Sequence, residues 1–186
     1  MISHVVKKLK KSKNKIKIVV STSLEKTDNR LVNFLKKNKI NVYRGSLHNV
    51  ALRLCSTAKK YKYNYFIRIS GDSPLLDYRI LDKAIMLKKK YKKAEIVTNV
   101  FPRTYPKGQS VEIIKTKLLE NNLKNFSDHD KEHVTTYFYK NSKKFNIKNF
   151  VNKSKKKYIK LSIDTIKNLT SIKKKIDKKK FINFKL

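Results

Sequence analysis

Segments with helical apolar spacing alternate with short strand-like runs along almost the whole chain, and this alternation narrows the fold more than any other feature. Ile2, Val5, Val6 and Leu9 share one helical face, and "IKIVVS" at 16–21 reads as a short buried strand. The order then repeats: a helix near 26–38 (Leu31, Phe34, Leu35), the strand "INVYR", a helix at 47–61 (Val50, Leu54, Ala58) and the strand "YFIRIS". A helix near 78–91, the strand "AEIVTN", the loop "VFPRTYPKG", the strand "VEIIK" and helices near 116–125 and 129–141 follow. The strands "FNIKNF" and "YIKLSID" and a helix over 165–177 close the pattern. Alternating strands and helices predict an α/β fold on a mostly parallel sheet. With 186 residues, 39% of them hydrophobic, and neither an internal repeat nor a long linker, one domain over 1–186 is expected.

The net charge of +35 suggests a polyanionic partner, but its distribution argues otherwise. Lysines are dispersed along the chain, and only six of the 48 basic residues are the better phosphate reader: Arg30, Arg44, Arg53, Arg68, Arg79 and Arg103. Lys, Ile, Asn, Tyr and Phe all have AT-rich codons, so compositional drift accounts for the charge and no specific nucleic-acid partner is expected. A basic nucleic-acid-binding module is the competing reading. It needs aromatics interleaved on a charged face, whereas Tyr61, Tyr63, Tyr65 and Phe66 fall in or beside a strand expected to be buried. No apolar run is long enough for a membrane span, and the first residues lack the apolar centre of a signal peptide, which points to the cytoplasm. Cys55 stands alone, without a disulfide or metal partner, and reads as a small buried hydrophobe.

Against such drift, the few glycines and prolines mark places where backbone geometry matters. Gly45 lies in "YRGS", Gly71 in "SGDSP" and Gly108 in "YPKGQS", while Pro74, Pro102 and Pro106 fall within or close to the last two segments. In an open α/β sheet, ligands sit beyond the carboxyl ends of the strands. "GDSP" occupies that position: Gly71 permits close approach, Asp72 leaves the strand end, and Pro74 fixes the exit. Asp164 ends "KLSID" in the same way. Two such carboxylates suit one Mg²⁺ on a nucleoside triphosphate. A strand-end aspartate equally serves as a helix cap, and Asp164 before Thr165 could do only that.

In order, "VVSTS", "VYRGS" with Arg53 on the following helix, "RISGDSPLLD", "VTNVFPRTYPKGQSVEI", "KEHVTTYFY" and "KLSIDT" resemble the spore-coat polysaccharide branch of the sugar cytidylyltransferases. These are relatives of the acylneuraminate and 3-deoxy-manno-octulosonate cytidylyltransferases. The resemblance spans nearly all of residues 1–175. It implies a Rossmann-like nucleotide-diphospho-sugar transferase sandwich that joins CTP to a sugar or 2-keto sugar acid with release of pyrophosphate. It further implies Mg²⁺ on Asp72 and Asp164, with Arg53, Gly71 and Ser73 at the nucleotide and Asn99, Gly108, Glu112 and His133 at the sugar. It leaves a homodimer open. From the residues alone, His133 serves equally well as a hydrogen-bonded helix residue.

The chain departs from the family pattern at Ser110, where an aspartate is usual, and at Ile166, where a proline is usual. Met1–Lys11 resembles the helix that follows the family's first strand and its glycine- and arginine-containing triphosphate loop. The resemblance therefore implies that this strand and loop are missing and that activity is impaired, with a non-catalytic remnant as the competing outcome.

Overall fold

The computed structural model describes residues 1–153 and 160–177. These form two compact units, one of Met1–Ile16, Ile67–Ile113 and the residues from Ile147 on, the other of Lys17–Phe66 and Ile114–Asn146.

In the second of these units, β1 (Val19–Ser23) runs parallel to β2 (Asn41–Gly45), with Val19 opposite Asn41 and Ser23 opposite Gly45. Helix α2 (Asn29–Lys37) connects them and buries Val32 and Leu35. A parallel pair requires such a crossover. Helix α3 (Val50–Lys60) starts where the Asn49 side chain accepts the Leu52 N–H at 2.8 Å, a cap worth about 1 kcal/mol. Its buried face, Ala51, Cys55 and Ala58, is small-residued and packs against α5 (Thr116–Asn122) and α6 (Asp128–Glu132). Cys55 is free and buried, and burial pushes its thiol above the ordinary value. Phe126, Tyr137, Phe138 and Phe145 form an aromatic cluster beside α7 (Thr136–Lys140), with Phe126 and Phe138 edge to face at 5.7 Å.

The helix expected over 129–141 is interrupted. Asp130 accepts the Ser127 hydroxyl at 2.7 Å in a capping box and the Thr136 hydroxyl at 2.7 Å, so one carboxylate serves both α6 and the start of α7. Helices α2 and α3 both end in Schellman geometry. Ile40 N–H donates to Leu35 C=O at 2.9 Å and Tyr63 N–H to Ala58 C=O at 3.0 Å, which places Lys39 (φ 53°) and Lys62 (φ 56°) where glycine is usual.

The second sheet has the order β3 (Tyr65–Arg68), β5 (Glu112–Lys115), β4 (Ile96–Thr98), β6 (Ile147–Asn149), and β4 and β6 are parallel. The expectation that "YFIRIS" is buried fails: β3 is half-buried throughout and Tyr63 is exposed, because β3 is an edge strand while β4 lies inside the sheet and is fully buried. In the first unit, α1 (Ile2–Leu9) packs Val5, Val6 and Leu9 inward and meets α4 (Tyr78–Lys90). Asp82 on α4 accepts from Ser12 Oγ at 2.5 Å and Asn14 Nδ2 at 2.9 Å. Burial pushes its carboxyl upward, but these bonds outweigh that and hold it below the ordinary value. Helix α8 is Ile166–Asp177. The start of the expected strand "YIKLSID" lies outside the described residues, and Lys160–Asp164 is not a strand. Leu161 N–H donates to Lys107 C=O at 2.8 Å and Ile163 N–H to Asp72 C=O at 2.9 Å, so the stretch bonds two separate loops instead of one continuous ladder.

Candidate active site

The loop after β3 is organised by short bonds of its own. Ser73 N–H donates to Ser70 C=O at 3.3 Å, Leu76 N–H to Ser73 C=O at 3.1 Å, and the buried Ser73 hydroxyl to Asp72 Oδ1 at 2.8 Å. Asp77 caps α4 by accepting Arg79 N–H at 2.9 Å. Asp72 therefore has no capping duty. Gly71 meets only the Ile2 methyl, at 3.7 Å from where a Cβ would stand, so the chain's own packing does not require glycine there.

Two fully buried amides tie this loop to the segment before β5. Gln109 accepts Asp77 N–H and donates to Leu75 C=O, both at 2.9 Å. Asn99 donates to Gln109 C=O at 2.8 Å and accepts Val111 N–H at 2.9 Å, behaving as an extra backbone unit at the end of β4. Gly108 has φ +93°, and a Cβ there would stand 2.5 Å from Leu161 C and 2.6 Å from Ser162 N. Glycine is needed both for the left-handed backbone and for the passage of 161–163.

That passage bonds Ile163, the residue before Asp164, to the backbone of Asp72. Asp164 is exposed and its carboxylate pairs with Lys160. Thr165, not Asp164, caps the following helix, its Oγ1 accepting Asn168 N–H at 3.2 Å. Both aspartates are thus spared the capping alternative raised by their positions. Among the described residues no three His, Cys, Asp or Glu side chains gather around one point. Two hard carboxylate donors on adjoining backbone still fit Mg²⁺, which takes one or two carboxylates and keeps waters or phosphates for the rest of its shell.

Glu112 is almost fully buried and accepts from Arg68 Nη1 at 2.6 Å. Arg53 and His133 belong to the other unit. Arg53 lies across the end of β2, its Cγ 2.9 Å from where a Gly45 Cβ would stand, and its Nη1 donates to Ser46 C=O. Burial holds its guanidinium below the ordinary value, and its buried Nε has no partner among the described residues. His133 ends α6, exposed, its ring 4.5 Å from that of His129. Gln109 and Arg68 were not singled out in the sequence. Their signals were present: Gln109 adjoins one of three glycines, and Arg68 is one of six arginines in a lysine-rich chain.

Residues 1–184 match the cytidylyltransferase family model. The chain belongs to the cytidylyltransferase family. The match runs through both compact units. An uncharacterized protein of Methanocaldococcus jannaschii is 32% identical over 173 residues, 90% of this chain and 69% of that protein. The spore coat polysaccharide biosynthesis protein SpsF of Bacillus subtilis is 28% identical over 127 residues, 67% of this chain and 51% of SpsF. The chain thus spans between half and about two thirds of the length of these curated relatives. Among solved structures, a cytidylyltransferase from Leptospira borgpetersenii superposes with a TM-score of 0.89 at 30% identity, covering 100% of this chain and 78% of the other. The synthetase of CMP-2-keto-3-deoxy-manno-octonic acid, solved with CTP, superposes with a TM-score of 0.69 at 12% identity, covering 95% and 87%. At that identity the likeness concerns the fold, a nucleotide-diphospho-sugar transferase type of α/β sandwich. No described helix of the chain is long and apolar enough to cross a membrane.

Proposed function

We propose that the chain transfers a cytidylyl group from CTP to a hydroxyl of a sugar or 2-keto sugar acid, releasing pyrophosphate, in the synthesis of a surface polysaccharide. The observation that supports this is the bond from Ile163 N–H to Asp72 C=O, which makes the segment leading into Asp164 a neighbour of the loop that carries Asp72, with the adjoining helix caps supplied by Asp77 and Thr165. Asp72 and Asp164 would hold Mg²⁺, which supplies charge neutralisation at the phosphates. The chain's own contribution is positioning, which dominates nucleotidyl transfer because little covalent chemistry is left to the protein.

Gly71 offers open backbone at the site where the nucleotide would lie, and Ser73 orients the Asp72 carboxylate through its hydroxyl. Arg53, like His133, is assigned by family resemblance alone, here to the nucleotide. Asn99 and Gly108 shape the acceptor side by holding the 109–111 segment and by admitting 161–163. His133, exposed at the end of α6, is assigned to the acceptor by family resemblance alone. Pyrophosphate release measured with each of the four nucleoside triphosphates, against neutral sugars and sugar acids, tests the reading. CTP-selective release that requires an acceptor and disappears in Asp72→Asn supports it; release indifferent to the acceptor or to Asp72 removes it.

A further inference from the structure

The short helix α6 carries two histidines on one face. His133 N–H donates to His129 C=O at 2.8 Å, so the two residues stand one helical turn apart, one above the other. Their ring centroids are 4.5 Å apart, the planes are inclined at 48°, and both residues are exposed. Among the described residues neither ring makes a hydrogen bond; Asp130 Oδ1, at 3.9 Å from His129 Nδ1, is too distant for one. Asp130 is in any case engaged by the Ser127 and Thr136 hydroxyls.

A neutral imidazole presents one nitrogen lone pair. Residues four apart on a helix have Cβ atoms about 5–6 Å from each other. A dication held by two imidazoles at about 2.0–2.1 Å needs the two nitrogens roughly 3 Å apart. Rings already this close reach that spacing by rotation about their own side-chain bonds, with no movement of backbone. Imidazole suits Zn²⁺, Ni²⁺ and Cu²⁺, whereas Mg²⁺ takes oxygen ligands, so the pair selects a different class of cation from two carboxylates. No third His, Cys, Asp or Glu joins the pair among the described residues, and water completes the shell.

Charge favours the same place. A chain of net charge +35 repels cations over most of its surface. Helix α6 is an exception, since Asp128, Asp130 and Glu132 are three of the chain's 13 acidic residues and only Lys131 lies among them, with Lys140 approaching Asp130 from α7.

We propose that His129 and His133 chelate a late transition-metal dication, such as Zn²⁺, through one nitrogen each, using neither Asp72 nor Asp164. The site rests on one turn of helix and not on the cytidylyl-transfer reading. Unfolding removes the one-turn spacing, so the cation binds the folded form and stabilises it.

The test is calorimetric titration of the full chain with Zn²⁺ near neutral pH, in excess Mg²⁺ to occupy carboxylate sites, with the imidazole ¹⁵N resonances followed in parallel. Saturable binding that shifts His129 and His133 together, and leaves His4 and His48 unmoved, is expected. The second histidine meets an ion already held by the first, so His129→Gln and His133→Gln should each weaken the affinity by about 100-fold. Lys131→Gln, between the pair and not part of it, should retain the binding. Zn²⁺ should also raise the urea midpoint of the wild type while leaving that of His129→Gln in place. Absence of saturable heat, a shift of His133 alone, or undiminished Zn²⁺ affinity in His129→Gln would overturn the proposal and reduce the two rings to a surface contact.

Discussion

The backbone carbonyl of Asp72 accepts the N–H of Ile163 at 2.9 Å, and this one bond makes neighbours of two segments some ninety residues apart in sequence. It places Asp164, the next residue, beside the loop that carries Asp72. The adjoining capping tasks fall to Asp77 and Thr165. Asp72→Asn and Asp164→Asn should each lower CTP-dependent turnover by about 100-fold or more, the scale of losing charge neutralisation at a transferring phosphoryl group. Both should also weaken Mn²⁺ binding, followed by electron paramagnetic resonance. Asp77→Asn, which alters the cap and the ion pair with Arg79, should leave metal binding intact. Undiminished Mn²⁺ affinity in both Asp72→Asn and Asp164→Asn would show that the metal is held elsewhere.

Gly108 is the position where a single methyl group should do most damage. Its Cβ would meet backbone atoms, Leu161 C at 2.5 Å and Ser162 N at 2.6 Å, and φ is +93°. Backbone cannot step aside as a side-chain tip can. Gly108→Ala should cost about 2 kcal/mol or more in urea unfolding and displace 161–164 from the Asp72 loop. Gly45→Ala offers the control. Its nearest obstacle is the flexible Arg53 side chain at 2.9 Å, and a smaller loss is expected.

Removing Asn99 should separate architecture from chemistry. The amide is fully buried and serves Gln109 C=O and Val111 N–H. Asn99→Ala leaves both backbone groups unpaired at a cost of about 2 kcal/mol. Backbone amide exchange should rise locally at Val111. Protection of Val111 equal to that of the wild type would mean that another group satisfies it.

Stability should fade in acid through Asp28. Its carboxylate accepts the Ser23 hydroxyl at 2.6 Å, the Thr22 hydroxyl at 2.6 Å and Ser23 N–H at 2.9 Å, and these bonds hold its pKa below the ordinary 3.8. Because the folded value lies below the unfolded one, the contribution is complete above the ordinary value and is lost as pH falls through the folded value. The urea midpoint of the wild type should therefore exceed that of Asp28→Asn at pH 6, with the gap closing below about pH 4. A gap that persists unchanged into acid would show that the ionised form is not what stabilises β1.

Lys39 and Lys62 invite a stabilising change. Both occupy the left-handed position of a Schellman cap, at φ 53° and 56°. Glycine removes the Cβ penalty there, while lysine's charge near the helix end returns part of it. Lys39→Gly and Lys62→Gly should each raise stability by about 0.5 kcal/mol, measured by urea unfolding. A loss at both positions would show that the lysine charge outweighs its strain.

The sequence by itself determined the alternation of helices and strands, with the parallel pairing such alternation implies, and the loops around Gly71 and Gly108; which strands pair, β1 with β2 and β4 with β6, came from the structure. The alternation and the loops follow from apolar periodicity and turn chemistry, which act over a few neighbouring residues and so leave a local trace. Asp72 was legible as a carboxylate just beyond a strand for the same reason, whereas the strand expected to end in Asp164 is absent over 160–164. Only the tertiary structure decided that "YIKLSID" bonds Lys107 and Asp72 without extending a ladder, that Glu112 is spent on Arg68, and that β3 lies at an edge. Each of these is a pairing between residues far apart in the chain. Periodicity reports whether a side chain faces inward; which distant partner meets it there is set by the order of strands and the space a residue such as Gly108 leaves open.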